Sequence, residues 1–190
     1  MTVILLVLAL LVGALLVWAV SAFNRLVRLR NQARTAWADI DVQLQRRHDL
    51  VPSLVSAVQA YAGHERALLE TVTQLRAQAV ALQEGSTQSR AQLGEVETAL
   101  ELALGRLFAL KEAYPDLKAS ENFAQLQRDL VDVEDHLQYA RRFYNGAVRD
   151  LNNAIQRVPD VVVARGFNFR EAEFFQTGEA QRAAVQVELP

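Results

Sequence analysis

FAQLQRDLVDVEDHLQYARRFYNGAVRDLNNA, residues 123–154, places apolar side chains at Phe123, Leu126, Leu130, Val133, Leu137, Ala140, Tyr144, Ala147, Leu151 and Ala154. The spacings alternate between three and four without a miss, which keeps all of them on one stripe of a 3.6-residue helix. This heptad pattern belongs to a rod buried along one face. At about 1.5 Å per residue the rod is roughly 50 Å long, so it needs partner helices along its length. Ser120 suits the N-cap, Glu121 is favourable in the first turn, Arg157 stands near the C-terminal end, and Pro159 blocks continuation.

Upstream, Leu93, Val96, Leu100, Ala103, Leu107, Leu110 and Tyr114 repeat the alternation in a second helix, which stops at Pro115 because proline lacks an amide and clashes with the preceding turn. Leu68, Val72, Leu75, Ala79 and Leu82 form a third stripe, broken at Glu84-Gly85-Ser86. Leu26, Leu29, Ala33, Trp37, Ile40 and Leu44 mark a further helix with Trp37 in the core. Pro52 leaves the His48 carbonyl without its usual donor, so it either kinks that helix or starts a new one, and Gly63-His64 is a second break point. Short connections make neighbouring rods antiparallel. The expectation is an all-α protein whose residues 24–158 form an up-and-down bundle of about four long segments.

Ahead of the bundle, Val3 to Phe23 carries no ionisable side chain, and Arg25, Arg28, Arg30 and Arg34 all precede the first acidic residue, Asp39. Roughly twenty apolar residues cross a bilayer core of about 30 Å, so residues 1–23 read as a transmembrane anchor. With the arginines all on one side, the positive-inside bias predicts a single-pass cell-membrane protein, N-terminus outside and bundle cytoplasmic. Trp18, Phe23, Arg25, Arg28 and Arg30 are assigned to the membrane interface, and Ala9 and Gly13 form one small-xxx-small pair. A cleaved secretory signal with Val20-Ser21-Ala22 as its processing site is the rival reading. It lacks the basic leader, and its apolar core is longer than signal peptides use.

Twenty basic against 22 acidic residues give a net charge of −2, which excludes the broad basic surface of a nucleic-acid binder. The absence of cysteine excludes disulfides, thiolate nucleophiles and cysteine metal sites. The residues beyond the anchor suffice for one domain with a sizeable core. Residues 159–190 form an irregular tail in which Phe167, Phe169, Phe174 and Phe175 are concentrated. So aromatic a tail either folds back over one end of the bundle or docks on a partner or on lipid.

Candidate chemistry is sparse. His48, in Arg47-His48-Asp49, is suited to metal binding or proton acceptance, but a structural polar cluster beside Pro52 is the preferred reading. Asp132 and His136 share a helical face, yet Val133 occupies the position where di-metal bundles need glutamate. Arg141, Arg142, Tyr144, Asn145 and Asn152 lie at or near the edge of the long stripe. They suggest a polar network with Asp39, Asp41 or Arg47, together with His48, that sets helix register or forms an interaction face. No phosphate-binding glycine loop, nucleophile elbow or zincin motif occurs. No catalytic, cofactor-binding or metal-ligating residue is assigned, and no cofactor is expected.

Two blocks resemble the LemA family of small bacterial membrane-anchored proteins. One runs from Asn24-Arg25-Leu26-Val27-Arg28-Leu29-Arg30-Asn31 through Ala36-Trp37-Ala38-Asp39-Ile40-Asp41-Val42-Gln43-Leu44 to Arg46-Arg47-His48-Asp49-Leu50-Val51-Pro52. The other is Ala140-Arg141-Arg142-Phe143-Tyr144-Asn145 with Val148 and Leu151-Asn152, and Val158-Pro159, Gly166-Phe167 and Phe174-Phe175 are similar to that family's ending. The resemblance covers nearly the whole chain and implies an N-out anchor carrying a cytoplasmic helical bundle, without an established biochemical activity. The expected function is a membrane-tethered, non-catalytic interaction or scaffold module. Its partners would be membrane lipids, an unidentified membrane or cytoplasmic protein, or further copies of itself, and no nucleic acid. The alternative is a self-assembling protein that binds or shapes the bilayer; an enzyme using a bundle metal is the third reading.

Overall fold

A computed structural model describes residues 1–85 and 90–175. Among these every regular element is helical: α1 (Thr2–Tyr61), α2 (Arg66–Glu84), α3 (Arg90–Ala109), a 3-10 turn (Leu110–Glu112), α4 (Pro115–Ala119), α5 (Glu121–Gln156) and α6 (Asp160–Gly166). The long heptad helix is α5, and all ten of its stripe residues are buried. Ser120 Oγ accepts from the Phe123 amide at 3.4 Å, Glu121 opens the first turn, and Pro115 starts α4 rather than ending α3. Ser86, part of the expected break after α2, and the tail from 176 onward lie outside the described residues.

The described residues divide into two compact units, Met1–Ala38 with Arg142–Glu173 and Asp39–Arg141 with Phe174 and Phe175. In the first, Leu26, Ala33 and Ala36 of α1, Tyr144, Ala147, Val148 and Leu151 of α5, and Val163 and Ala164 of α6 are buried. Trp37 meets Tyr144 edge-on at 5.2 Å between ring centroids. The apolar run of α1 is different: none of its most apolar 18-residue window is buried. By length and composition it is the one described helix able to cross a membrane.

The second unit is built from the C-terminal part of α1, α2, α3 and the N-terminal part of α5. Its core includes Val51, Leu54 and Val58 from α1, Val72 from α2, Leu100 and Leu107 from α3, Leu117 from α4 and Phe123 from α5. Two side-chain to backbone bonds set the register of α1 against α2: Gln83 Nε2 donates to the Asp41 carbonyl at 3.1 Å and Arg76 Nε to the His48 carbonyl at 2.7 Å. Seven residues forward on α1 match seven backward on α2, so the two are antiparallel. Phe108 of α3 meets Phe123 of α5 at 6.3 Å beyond the reversal through α4.

Pro52 neither ends α1 nor starts a new helix; the chain reverses at Gly63-His64 instead. The His48 carbonyl, orphaned by the missing Pro52 amide, receives the Arg76 guanidinium. Arg76→Ala is therefore expected to destabilise by about 1–3 kcal/mol, the usual consequence of stranding a buried polar group. In a Pro52→Ala background, where residue 52 supplies the amide, the same substitution should have a much smaller effect. A double-mutant cycle by urea unfolding measures the difference.

Candidate functional site

The polar residues gather in two places, each inside one unit. In the second unit the α1 stripe passes from Leu44 through Arg47 and His48 to Val51, so two ionisable side chains occupy core positions. Arg47 is 1% exposed and His48 is fully buried. Glu97 of α3, also fully buried, receives both: Arg47 Nη1 donates to Oε2 at 3.1 Å and His48 Nε2 to Oε1 at 2.7 Å. A carboxylate oxygen accepts, so the contact is assigned with His48 Nε2 as its donor. The second Arg47 nitrogen, Nη2, pairs with Glu134 of α5. One guanidinium thus joins α1 to α3 and α5 together.

Arg141 of α5 is the second buried guanidinium. Among the described residues its ion-pair partners are Glu101 at 3.7 Å and Glu134 at 3.9 Å, and the Phe175 ring centre lies 5.2 Å from its Cζ. Burial pushes both guanidiniums below their ordinary pKa, opposed at Arg47 mainly by the Glu97 carboxylate and at Arg141 by Glu101 and then Glu97. Two arginines therefore sit among three glutamates with little solvent to screen them. Such a cluster suits fixing which helices meet, and in what register, better than it suits turnover. Asp41 contributes its carbonyl to Gln83, and Asp39 is exposed.

The second gathering, in the first unit, holds the tail. Asn152 donates Nδ2–H to the Ala172 carbonyl at 3.0 Å and accepts the Ala172 amide on Oδ1 at 2.9 Å, a two-point grip on extended backbone. Tyr144 donates its hydroxyl proton to the Glu173 carbonyl at 2.7 Å, and Gln156 reaches Glu171 at 2.8 Å. Tyr144, Asn152 and Gln156 recur at multiples of four along α5, so one face of that helix carries the tail antiparallel to itself. Arg142 is exposed and Asn145 half-buried. At the α1 end, Phe23 contacts Phe167 at 4.8 Å and Phe169 at 5.8 Å, Arg30 lies over Phe169 at 5.1 Å, and Arg25 Nη1 pairs with Asp160 at 3.4 Å. Arg25, Arg28 and Arg30 are exposed, and Trp18 is half-buried.

Glu97, Glu101 and Glu134 carry no sequence motif. Val96 occupies the heptad position beside Glu97, which makes the glutamate read as solvated. The overlapping series Leu93, Glu97, Leu100, Leu104, Leu107 has the same alternation, and every member is buried. The one signal for Glu97 was this second reading of the α3 stripe.

His136 keeps its Nδ1 within 2.7 Å of the Asp132 carbonyl one turn back, an exposed local contact. Among the described residues no group of three or more ligating side chains is arranged to hold a metal. An open groove of about 530 Å³ between the end of α1 and α2 is bordered by Gln59, Arg66, Glu70 and Thr73; it brings together no pair of groups set up for acid–base work.

The sequence model of the LemA family matches residues 36–189. Similar curated proteins include Magnetosome protein MamQ 2 of Paramagnetospirillum magneticum, 25% identical over 175 residues, covering 81% of this chain and 64% of the relative. Magnetosome protein MamQ of Magnetospirillum gryphiswaldense is 25% identical over 174 residues, with 80% and 64% covered. Protein LemA of Metamycoplasma hominis is 25% identical over 162 residues, with 85% and 72% covered. The chain thus spans less than two thirds of the length of the MamQ relatives.

Proposed function

Because the chain belongs to the LemA family, we propose that it is a membrane-tethered, non-catalytic helical bundle that acts as an interaction or scaffold module on the cytoplasmic face of the cell membrane. The observation that carries this reading is the exposed apolar run of α1, which continues without a break into residues that form bundle core. An apolar surface of that length is unstable in water and well placed in a bilayer. The arginines that follow it support a cytoplasmic bundle. The absence of glycine loops and nucleophile motifs from the sequence, and the fixed pairing of Arg47, His48 and Glu97, favour a role in presenting surfaces.

The test is affinity capture of the full chain from its native membranes in mild detergent, beside an Arg142→Glu variant. Arg142 suits this use because it is exposed, whereas Arg141 is buried and its loss would disturb the core. A stoichiometric protein partner, reduced several-fold by the variant, is the expected result. A purified chain that turns over a defined substrate, and loses that turnover with one polar substitution, would overturn the reading.

A further inference from the structure

Three large apolar side chains in the first unit face solvent where α5 gives way to α6: Val158 is 79% exposed, Val162 68% and Phe167 64%. Isolated exposed apolar residues are ordinary, but these three fall within ten residues and are flanked by the exposed cations Arg157 and Arg165. The backbone bonds of this segment fold it into successive turns. The Val161 amide donates to the Arg157 carbonyl at 2.8 Å and the Val162 amide to that of Pro159 at 3.1 Å, so Val162 stands one turn from Val158; the Phe167 amide, donating to Val163 at 3.0 Å, closes the next turn. The opposite side of the segment, Asp160, Val163 and Ala164, is buried. The outward side at Val158 and Val162 is therefore apolar with a basic rim, and the exposed Phe167 borders it where the segment meets Phe23 of α1.

Two contacts with α1 set its depth. Asp160 pairs with Arg25, the first charge after the apolar run, and Phe167 packs on Phe23 within the end of that run. Residues 23 and 25 are about 3 Å apart along a helix axis. If α1 spans a bilayer, the exposed face of α6 then lies at headgroup and upper acyl depth, where aromatic and aliphatic side chains settle and arginines reach outward to phosphates. We propose that Val158, Val162 and Phe167 insert into the membrane interface beside the anchor, making α6 a second, monotopic point of attachment to lipid. The proposal rests on the tethered reading above and adds to it a lipid-binding face.

Because the chain contains no cysteine, single nitroxide labels report unambiguously. Val162→Cys and Phe167→Cys are labelled in the full chain reconstituted in vesicles of mixed zwitterionic and anionic phospholipid. Leu10→Cys serves as the reference in the span and Asn153→Cys as the reference in water, and each site is scored by its accessibility to oxygen against a nickel chelate. The expected result is a change of sign in the depth parameter between Asn153 and both test sites, which are oxygen-accessible like Leu10. If the test sites collide with nickel as Asn153 does while Leu10 stays in lipid, the α6 proposal fails and the tether stands. Low accessibility to both reagents, with Leu10 in lipid, means that protein covers the face and also defeats the proposal. Nickel access at Leu10 would overturn the tether and the α6 attachment with it.

Discussion

Replacing Glu97 with leucine is expected to destabilise the protein by about 3–5 kcal/mol, the usual cost of removing one partner from a buried ionic group. The carboxylate accepts from two buried donors, Arg47 Nη1 and His48 Nε2, and is itself fully buried. Its removal strands the imidazole N–H and leaves Arg47 paired directly with Glu134. A loss of that size is a large part of the roughly 5–15 kcal/mol that holds a typical domain together. Urea unfolding of the full chain in detergent, followed by helical circular dichroism, measures it.

The same reasoning predicts the direction of a compensating change. Replacing Arg47, His48 and Glu97 together by Met, Leu and Leu removes the charges along with their desolvation cost, and should recover most of the lost stability. If the triple variant is stable but its helices no longer hold one register, judged by hydrogen exchange in α3 and α5, then the cluster contributes specificity more than stability. Full stability with unchanged protection would leave the cluster without a role in register.

Much of this arrangement is legible in the sequence because burial on a long helix leaves a period. All ten positions on the α5 stripe are buried, as are Leu26, Ala33, Ile40 and Leu44 of α1. Signals carried by distant partners are not legible in this way. Pro52 looks like a break in isolation; the carbonyl it orphans is satisfied by Arg76, on another helix, which supplies the donor that the proline lacks. Arg47, His48 and Arg141 stand out as polar residues on or beside an apolar stripe, yet their acidic partners Glu97, Glu101 and Glu134 read as surface residues between heptad positions. The tail illustrates the same limit. Its phenylalanines announce contact, and they divide: Phe169 lies under Arg30, Phe175 is buried against Arg141, and Phe167 remains largely exposed. The grip of Asn152 on the Ala172 backbone had no visible sign, since a backbone acceptor is the same at every residue.

The largest effect is expected in the anchor. Arginines at Leu11 and Leu15, near the middle of the apolar run, each oppose insertion by about 3 kcal/mol on the scale derived from membrane-insertion experiments, and together outweigh what the neighbouring leucines and valines contribute. Both positions are exposed on α1, so the substitutions leave the packed units intact. The change should act on membrane attachment while the helical bundle still folds. This separates a lasting anchor from a signal removed at Val20-Ser21-Ala22 and from peripheral binding through the arginines.

The most direct measurement is alkaline-carbonate extraction of membranes from cells making the full chain or its Leu11→Arg, Leu15→Arg variant, with the size of the retained protein read by mass spectrometry. Retention of the wild-type chain at its full 190 residues, and release of the double variant into the supernatant, is the predicted result. Release of the wild-type chain by carbonate, or its recovery without the first twenty or so residues, would contradict the anchored bundle.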